Sequence, residues 1–213
     1  MAQALEAAEL TLADLAERFG PMPASRVWHQ PPPGTAVEQD AIEVDLHADR
    51  LCELIDGVLL EKAPGFYESY LSGLLVQFVL PFAQEHDLGI VLASNAMYRL
   101  SPGQVRIPDG SFVSWSRMPG RVIPRDDIAD FAPDLAIEVL SKGNTKQEMA
   151  RKLDDYFAAG VRLVWYVDPK TETVQCYTSP HDSTLVKAPE SLDGGAVLPG
   201  FTLPLDELFK QSK

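Results

Sequence analysis

Residues 134–141 limit the folds open to this chain more than any other segment. The segment reads DLAIEVLS, and its apolar residues predict a buried strand with Glu138 in the middle. Burying a carboxylate inside a strand is costly unless a cation, a hydrogen-bond donor or a metal ion pairs with it. The fold must therefore bring such a partner to Glu138.

Strand and helix patterns alternate around this segment. Short strands are predicted on both sides of the Asp56-Gly57 turn and over residues 89–93, 96–100, 105–107, 112–115, 161–167 and 174–177. Helices are predicted over residues 66–86, bent or ended by Pro81, and over residues 145–159. This alternation indicates an α/β (α+β) fold, a sheet with helices on its faces.

The first 35 residues differ in character from the rest. A short helix ending at Phe19 precedes proline-rich coil, so we expect an N-terminal arm over residues 1–35 and a single domain over residues 36–213. The N-terminus lacks the basic and apolar regions of a secretory signal, no apolar run is long enough to span a membrane, and only two cysteines occur. These features predict a cytoplasmic protein with no membrane partner.

The charge is strongly acidic but uneven. The chain has 31 acidic and 18 basic residues, a net charge of −13, which argues against extensive contact with phosphates. Residues 1–60 hold 11 acids and 3 bases, whereas residues 99–152 hold 9 bases and 7 acids. If the substrate is a polyanion, we expect it to bind near this second segment, in basic surroundings.

A second carboxylate and a lysine accompany Glu138 in the sequence. Asp109 follows a predicted strand, and Glu148, Lys152 and Tyr156 share one face of the next helix. Two carboxylates and a lysine suit metal-assisted phosphodiester cleavage, because hard oxygens hold Mg²⁺. The alternative is structural: a neighbouring arginine or backbone N–H groups satisfy Glu138, and Glu148 and Lys152 form an ordinary exposed helix pair.

These motifs resemble the Uma-two family, a branch of the PD-(D/E)XK nuclease superfamily. The resemblance covers about residues 50–210. Its segments, in order, are ELIDG (53–57), VRIPD (105–109), APDLAIEVLS (132–141), NT (144–145), the helix face of Glu148, Lys152 and Tyr156, GV (160–161), VWYVDP (164–169) and VLPGF (197–201).

The resemblance implies a restriction-endonuclease-like mixed sheet flanked by helices. Asp109 and Glu138 would ligate Mg²⁺ or Mn²⁺, with the Val139 carbonyl as a third ligand. Leu140 stands where the motif lysine is expected, so the resemblance implies that Lys152 replaces it as a catalytic residue that positions the attacking water or stabilises the developing charge. Two further departures are Tyr67-Glu68, where many relatives carry a histidine, and Gly110-Ser111, where Val-Ala is usual.

Further residues complete the predicted site. Glu53 and Glu61 are candidate extra acids, with a solvated hairpin charge as the alternative, while Glu148 and Tyr156 are candidate supporting residues. The candidate phosphate-binding residues are Arg99, Arg106 and Lys142. The predicted function is a metal-dependent endonuclease, a hydrolase acting on nucleic acid, foremost DNA, as a homodimer. The alternative is an inactive nuclease fold that serves as a binding or assembly module.

Overall fold

The computed structural model describes residues 10–48, 50–62 and 65–210, which contain five α-helices and thirteen strands. The helices are α1 (Leu12–Phe19), α2 (Glu38–Ala48), α3 (Phe66–Glu85), α4 (Lys146–Ala158) and α5 (Leu205–Lys210). The strands are β1 (Cys52–Ile55), β2 (Val58–Glu61), β3 (Gly89–Ala93), β4 (Met97–Ser101), β5 (Gln104–Arg106), β6 (Gly110–Ser114), β7 (Ile128–Ala129), β8 (Leu135–Val139), β9 (Leu163–Asp168), β10 (Thr173–Ser179), β11 (Asp182–Lys187), β12 (Ser191–Asp193) and β13 (Thr202–Pro204). Within these ranges, no helix has the length and apolar character needed to cross a membrane.

A six-stranded mixed sheet carries Glu138. Its strand order is β11-β10-β9-β8-β6-β3, with β8 and β9 parallel and the other pairs antiparallel. Because side chains alternate along a strand, Ile137 of β8 packs with the residues of α3, whereas Ala136 packs with those of α4. Glu138 shares the α4 face with Ala136. Helices thus cover both faces of a mixed sheet, which confirms the predicted fold class.

Helix α3 continues past Pro81, where the sequence predicts a bend or an end. Pro81 has no N–H to donate, which normally weakens a helix interior. Here Pro81 lies near the C-terminal end, and both Val79 and Ala83 are completely buried in the core beneath the helix. This packing keeps the last turn helical as far as Glu85.

A five-stranded sheet, ordered β2-β1-β5-β4-β7, lies beside the first. The β1–β2 hairpin turns at Asp56-Gly57, as predicted, and β1 also pairs with β5. Helix α2, which the sequence patterns did not predict, packs on this sheet through Ala41 and Val44. Only these two of its residues are buried, so its apolar pattern is too sparse to recognise.

The described part of the N-terminal arm lies against α4 and β2. Thr11 and Asp14 form a capping box at the start of α1, and the Thr145 hydroxyl at the start of α4 donates a hydrogen bond to the Phe19 carbonyl. A 3₁₀ turn at Ala24–Arg26 follows, and Val27 then bridges to β2. This path brings Arg26 to the beginning of α4.

The Gly57→Ala variant should be less stable than Gly103→Ala. Both glycines have φ +75°, so alanine at either position carries a similar left-handed strain of about 1–2 kcal/mol. A Cβ on Gly57 would lie 2.5 Å from the Gly34 carbonyl oxygen, whereas nothing lies within 4 Å of one on Gly103. Chemical denaturation should show an additional loss of about 1–3 kcal/mol for Gly57→Ala. Equal losses would mean that Gly34 moves aside without cost.

Candidate active site

A polar cavity opens where the two sheets, α4 and the N-terminal arm meet. Its volume is about 60 Å³, which is room for a few water molecules or a cation but not for a nucleotide. Four carboxylates and three cationic side chains line it, together with the turn that follows β8. The lining residues are Arg26, Glu53, Lys62, Asp109, Glu138, Val139, Ser141, Gly143, Asn144, Glu148 and Lys152.

Asp109 and Glu138 come from adjacent positions in the six-stranded sheet. Asp109 directly precedes β6, and Glu138 lies in β8, which pairs with β6. The Val139 N–H donates a 2.8 Å hydrogen bond to Asp109 Oδ2 and so fixes the orientation of that carboxylate. Both side chains line the cavity although both residues are buried. The two carboxylates among the three predicted metal ligands therefore face one space.

Lys62 places a positive charge between these two carboxylates. Its Nζ lies 2.7 Å from Asp109 Oδ1 and 4.0 Å from Glu138 Oε2, and it donates a hydrogen bond to the Ile107 carbonyl. Burial lowers the pKa of Lys62, but the charges of Glu138, Asp109 and Glu53 outweigh it and raise the pKa above its usual value. Lys62 is consequently a protonated, resident cation. No sequence motif marks it.

Lys152 and Tyr156 hold Glu138 from the α4 side. Lys152 Nζ lies 3.0 Å from both Glu138 Oε2 and Glu53 Oε1. The Tyr156 hydroxyl donates a 2.6 Å hydrogen bond to Glu138 Oε1. The two side chains are one helical turn apart, so this face of α4 aims both groups at the middle of β8.

The buried carboxylates respond differently to their surroundings. Burial raises the pKa of Glu138, and the charges of Lys152 and Lys62 offset this only partly. Burial also acts to raise the pKa of Glu53, but Lys152, Arg106 and Lys62 together hold it well below its usual range. Glu53 is therefore firmly ionised, and Glu138 carries the costlier charge. A cation added beside Glu138 would stabilise its ionised form.

Glu148 links α4 to the N-terminal arm. It completes the capping box of α4 with Thr145. Its carboxylate also forms a paired contact with Arg26, at 2.7 Å to Nη2 and 2.9 Å to Nη1, and Arg26 Nη1 additionally donates to the Gly143 carbonyl. This pair fixes one wall of the cavity. Arg26, like Lys62, was not identified from the sequence.

The candidate phosphate-binding arginines do not line the cavity. Arg106 is 1% exposed and is held by Glu53 and Asp155. Arg99 is bound by Glu38 and Asp130 on a different surface. We remove both from the predicted phosphate-binding set, because their guanidinium groups are already committed to carboxylates.

The remaining two candidates outside the cavity lie close to it. Lys142 is exposed between Ser141 and Gly143, which both line the cavity, so it remains a candidate at its rim. Glu61 does not line the cavity and instead pairs with Arg50 at 2.6 Å. We therefore remove Glu61 from the candidate acids, whereas Glu53 does lie in the cavity wall.

The cavity is not basic, contrary to the expectation from charge distribution. Its four carboxylates outnumber its three cations, and each of those cations contacts a carboxylate. Several basic residues of the segment 99–152 are bound elsewhere, as with Arg117 on Asp134. A surplus of negative charge suits a bound cation better than it suits a free phosphate.

The oxygen atoms of the cavity suit a divalent ion, although they do not form a complete protein cage. Within residues 10–48, 50–62 and 65–210, no three His, Cys, Asp or Glu side chains are arranged to hold a metal. The carboxylates of Asp109 and Glu138 nevertheless both face the Lys62 ammonium, which already provides a cation between them. Asp109 and Glu138 thus fit Mg²⁺ or Mn²⁺, with water or a backbone carbonyl completing the coordination.

The chain is similar to one known family of sequences and to a solved structure. The Uma2 (Uma-two) family model, described as "Putative restriction endonuclease", matches residues 38–206. A crystal structure of "a putative nuclease belonging to DUF820" from Anabaena variabilis ATCC 29413 has a TM-score of 0.65 to this fold, at 19% identity, with 76% of this chain and 91% of that chain covered. That likeness shows a shared fold. No curated protein gives a significant match. Because the family model spans most of its residues, this chain belongs to the Uma2 family.

Proposed function

We propose that this protein is a metal-dependent endonuclease that hydrolyses phosphodiester bonds in nucleic acid, foremost DNA. The observation that carries the proposal is the convergence of Asp109 and Glu138 on a single cationic group, the Lys62 ammonium. The Uma2 family carries the description "Putative restriction endonuclease" and the structural neighbour that of "a putative nuclease", and both descriptions support a nuclease. The proposal adds the metal dependence and the substrate.

Asp109, Glu138 and the Val139 carbonyl would hold Mg²⁺ or Mn²⁺. When bound, such an ion lowers the pKa of a water molecule and offsets negative charge on the scissile phosphate. The Val139 N–H orients Asp109, while Lys152 and Tyr156 orient Glu138. These contacts hold both carboxylates in place before substrate arrives, which avoids reorganisation during the reaction.

In this scheme Lys152 has a positioning role in place of the catalytic role expected from the sequence. It is 3% exposed and both of its carboxylate contacts lie inside the protein, so it holds Glu53 and Glu138 without reaching a substrate. Because the cavity is too small for a nucleotide, the nucleic acid lies across its mouth, where exposed Lys142 can contact a flanking phosphate. A homodimer would present two such mouths to the two strands of a duplex.

One observation favours the alternative function, a binding module built on a nuclease fold. The carboxylates of Asp109 and Glu138 are already neutralised by Lys62 and Lys152. If these ion pairs are permanent, the cavity has no need of a metal and performs no hydrolysis. The two functions differ in whether a divalent ion switches on cleavage and changes the thermal unfolding of the protein.

Metal-dependent cleavage distinguishes the two functions. The purified protein should cut supercoiled plasmid, linear duplex or single-stranded DNA when Mg²⁺ or Mn²⁺ is present, and should not cut when EDTA removes the ion. An RNA panel of matched lengths identifies the preferred nucleic acid. Absence of cleavage on every substrate with either ion, together with unchanged thermal unfolding when the ion is added, would favour the binding module.

A further inference from the structure

We propose that Lys62 is an internal substitute for the catalytic metal: its ammonium occupies the cation position between Asp109 and Glu138, and a divalent ion enters by displacing it. This inference rests on the proposed function, because it describes how that site becomes loaded. It assigns to Lys62 control over metal affinity, a property that neither the motif nor the fold class predicts.

The contacts of Lys62 are those expected of a bound cation. Three oxygens surround its Nζ: Asp109 Oδ1 at 2.7 Å, Glu138 Oε2 at 4.0 Å and the Ile107 carbonyl oxygen. A carboxylate pair with a backbone carbonyl is also the hard-oxygen environment that Mg²⁺ and Mn²⁺ prefer. The carboxylates of Asp109 and Glu138 therefore attract either the ammonium or the divalent ion, and the two cations compete for them.

Repulsion between like charges makes this competition mutually exclusive. The carboxylates of Glu53, Asp109 and Glu138 each already contact a cation, from Lys62, Lys152 or Arg106. A divalent ion added to this set would place two further positive charges beside the Lys62 ammonium in a space of about 60 Å³. Withdrawal of Lys62 removes that repulsion and leaves the carboxylates of Asp109 and Glu138 to the metal.

Lys62 is the lysine of the site that is free to withdraw. Its backbone is fixed, since its N–H donates to the Leu51 carbonyl, but its side chain is 12% exposed at the end of β2. The Lys152 side chain is 3% exposed and lies between Glu53 and Glu138. Exchange thus requires a change of side-chain rotamer at Lys62 and leaves the other ion pairs intact.

Calorimetric titration with Mn²⁺ tests the competition in the absence of nucleic acid. If the state with Lys62 withdrawn is populated at about 10% or less, the wild-type protein binds Mn²⁺ about tenfold or more weakly than a protein without the ammonium. Lys62→Gln and Lys62→Met should therefore bind Mn²⁺ at least about tenfold more tightly. Lys170→Met, which removes the same charge from an exposed turn residue, should bind as the wild type does.

If the Lys62 variants fold too poorly for titration, their thermal unfolding tests the same competition. Without metal, the Lys62 variants should unfold at a lower temperature than wild type, because Asp109 and Glu138 lose their shared cation. Saturating Mn²⁺ should restore the unfolding temperature of the variants more than it raises that of wild type. Failure of Mn²⁺ to restore a Lys62 variant that is unfolded without it would overturn the inference.

The remaining outcomes separate this inference from the proposed function. Equal Mn²⁺ affinities for wild type and both Lys62 variants would overturn the competition while leaving a metal-binding site in place. No binding of Mn²⁺ by any of these proteins would overturn both the competition and the metal dependence of the proposed nuclease. Binding of Mn²⁺ by the Lys62 variants but not by wild type would support the competition and would mean that Lys62 fully excludes the ion from the wild-type site.

Discussion

The Glu138→Gln variant is expected to lose metal-dependent cleavage by about three orders of magnitude. The charge stabilisation that a catalytic metal provides is worth several kcal/mol, and about 4 kcal/mol corresponds to roughly 10³-fold in rate. Glutamine removes one of the two carboxylates that face Lys62 but leaves the shape of the cavity nearly unchanged. Steady-state cleavage of plasmid DNA with Mg²⁺ or Mn²⁺ measures the loss.

The same variant should remain folded. The amide oxygen of glutamine can still accept the hydrogen bond from the Tyr156 hydroxyl. Lys152 still forms its ion pair with Glu53, and Lys62 still forms its ion pair with Asp109. Burial already makes the charge of Glu138 costly, as the raised pKa shows. The Glu207→Gln control removes an exposed carboxylate of α5 and should cleave at the wild-type rate. Undiminished cleavage by Glu138→Gln would remove this carboxylate from the catalytic site.

Local sequence patterns were sufficient to predict which residues meet on the α4 side of the cavity. An apolar strand with a charge in its middle, followed by a helix with polar residues four apart, places Glu138 opposite Lys152 and Tyr156. These relations depend only on the two-residue period of a strand and the turn of a helix. They can therefore be read from about twenty consecutive residues, without knowledge of which strands pair.

The opposite side of the cavity depends on contacts that no local pattern records. Lys62 reaches Asp109 because the β1–β2 hairpin pairs with β5, and Arg26 reaches Glu148 because the arm crosses β2. The same pairing explains why Arg106 is not free to bind phosphate, contrary to the prediction from the sequence. Next to β1, Arg106 faces Glu53 and is buried, whereas the sequence alone allowed it to face solvent. Strand partners decide which side chains meet, and spacing along the chain does not reveal them.

Lys152 illustrates how this missing information changes a prediction about stability. From the sequence, Lys152→Met is expected to leave folding nearly intact while it removes metal-dependent cleavage. The alternative from the sequence, a solvent-facing helix pair with Glu148, contributes only about 0.2–0.5 kcal/mol. In the structure, Glu148 is held by Arg26, and Lys152 instead neutralises Glu53 and Glu138, which are both buried. Its removal leaves two carboxylates without the cation that offsets their desolvation.

The Lys152→Met variant should therefore lose about 3 kcal/mol of unfolding free energy in chemical denaturation. Breaking a buried pair costs about 3–5 kcal/mol, and the lower end applies because Arg106 still binds Glu53 and Tyr156 still binds Glu138. Adding Glu53→Gln to Lys152→Met should recover part of the loss, since it removes one uncompensated charge. Lys210→Met breaks an exposed pair with Asp206 and should change stability little. A loss at Lys152 no larger than this control's would mean that Glu53 and Glu138 gain protons or water at little cost, and that the ion pairs do not hold the site together.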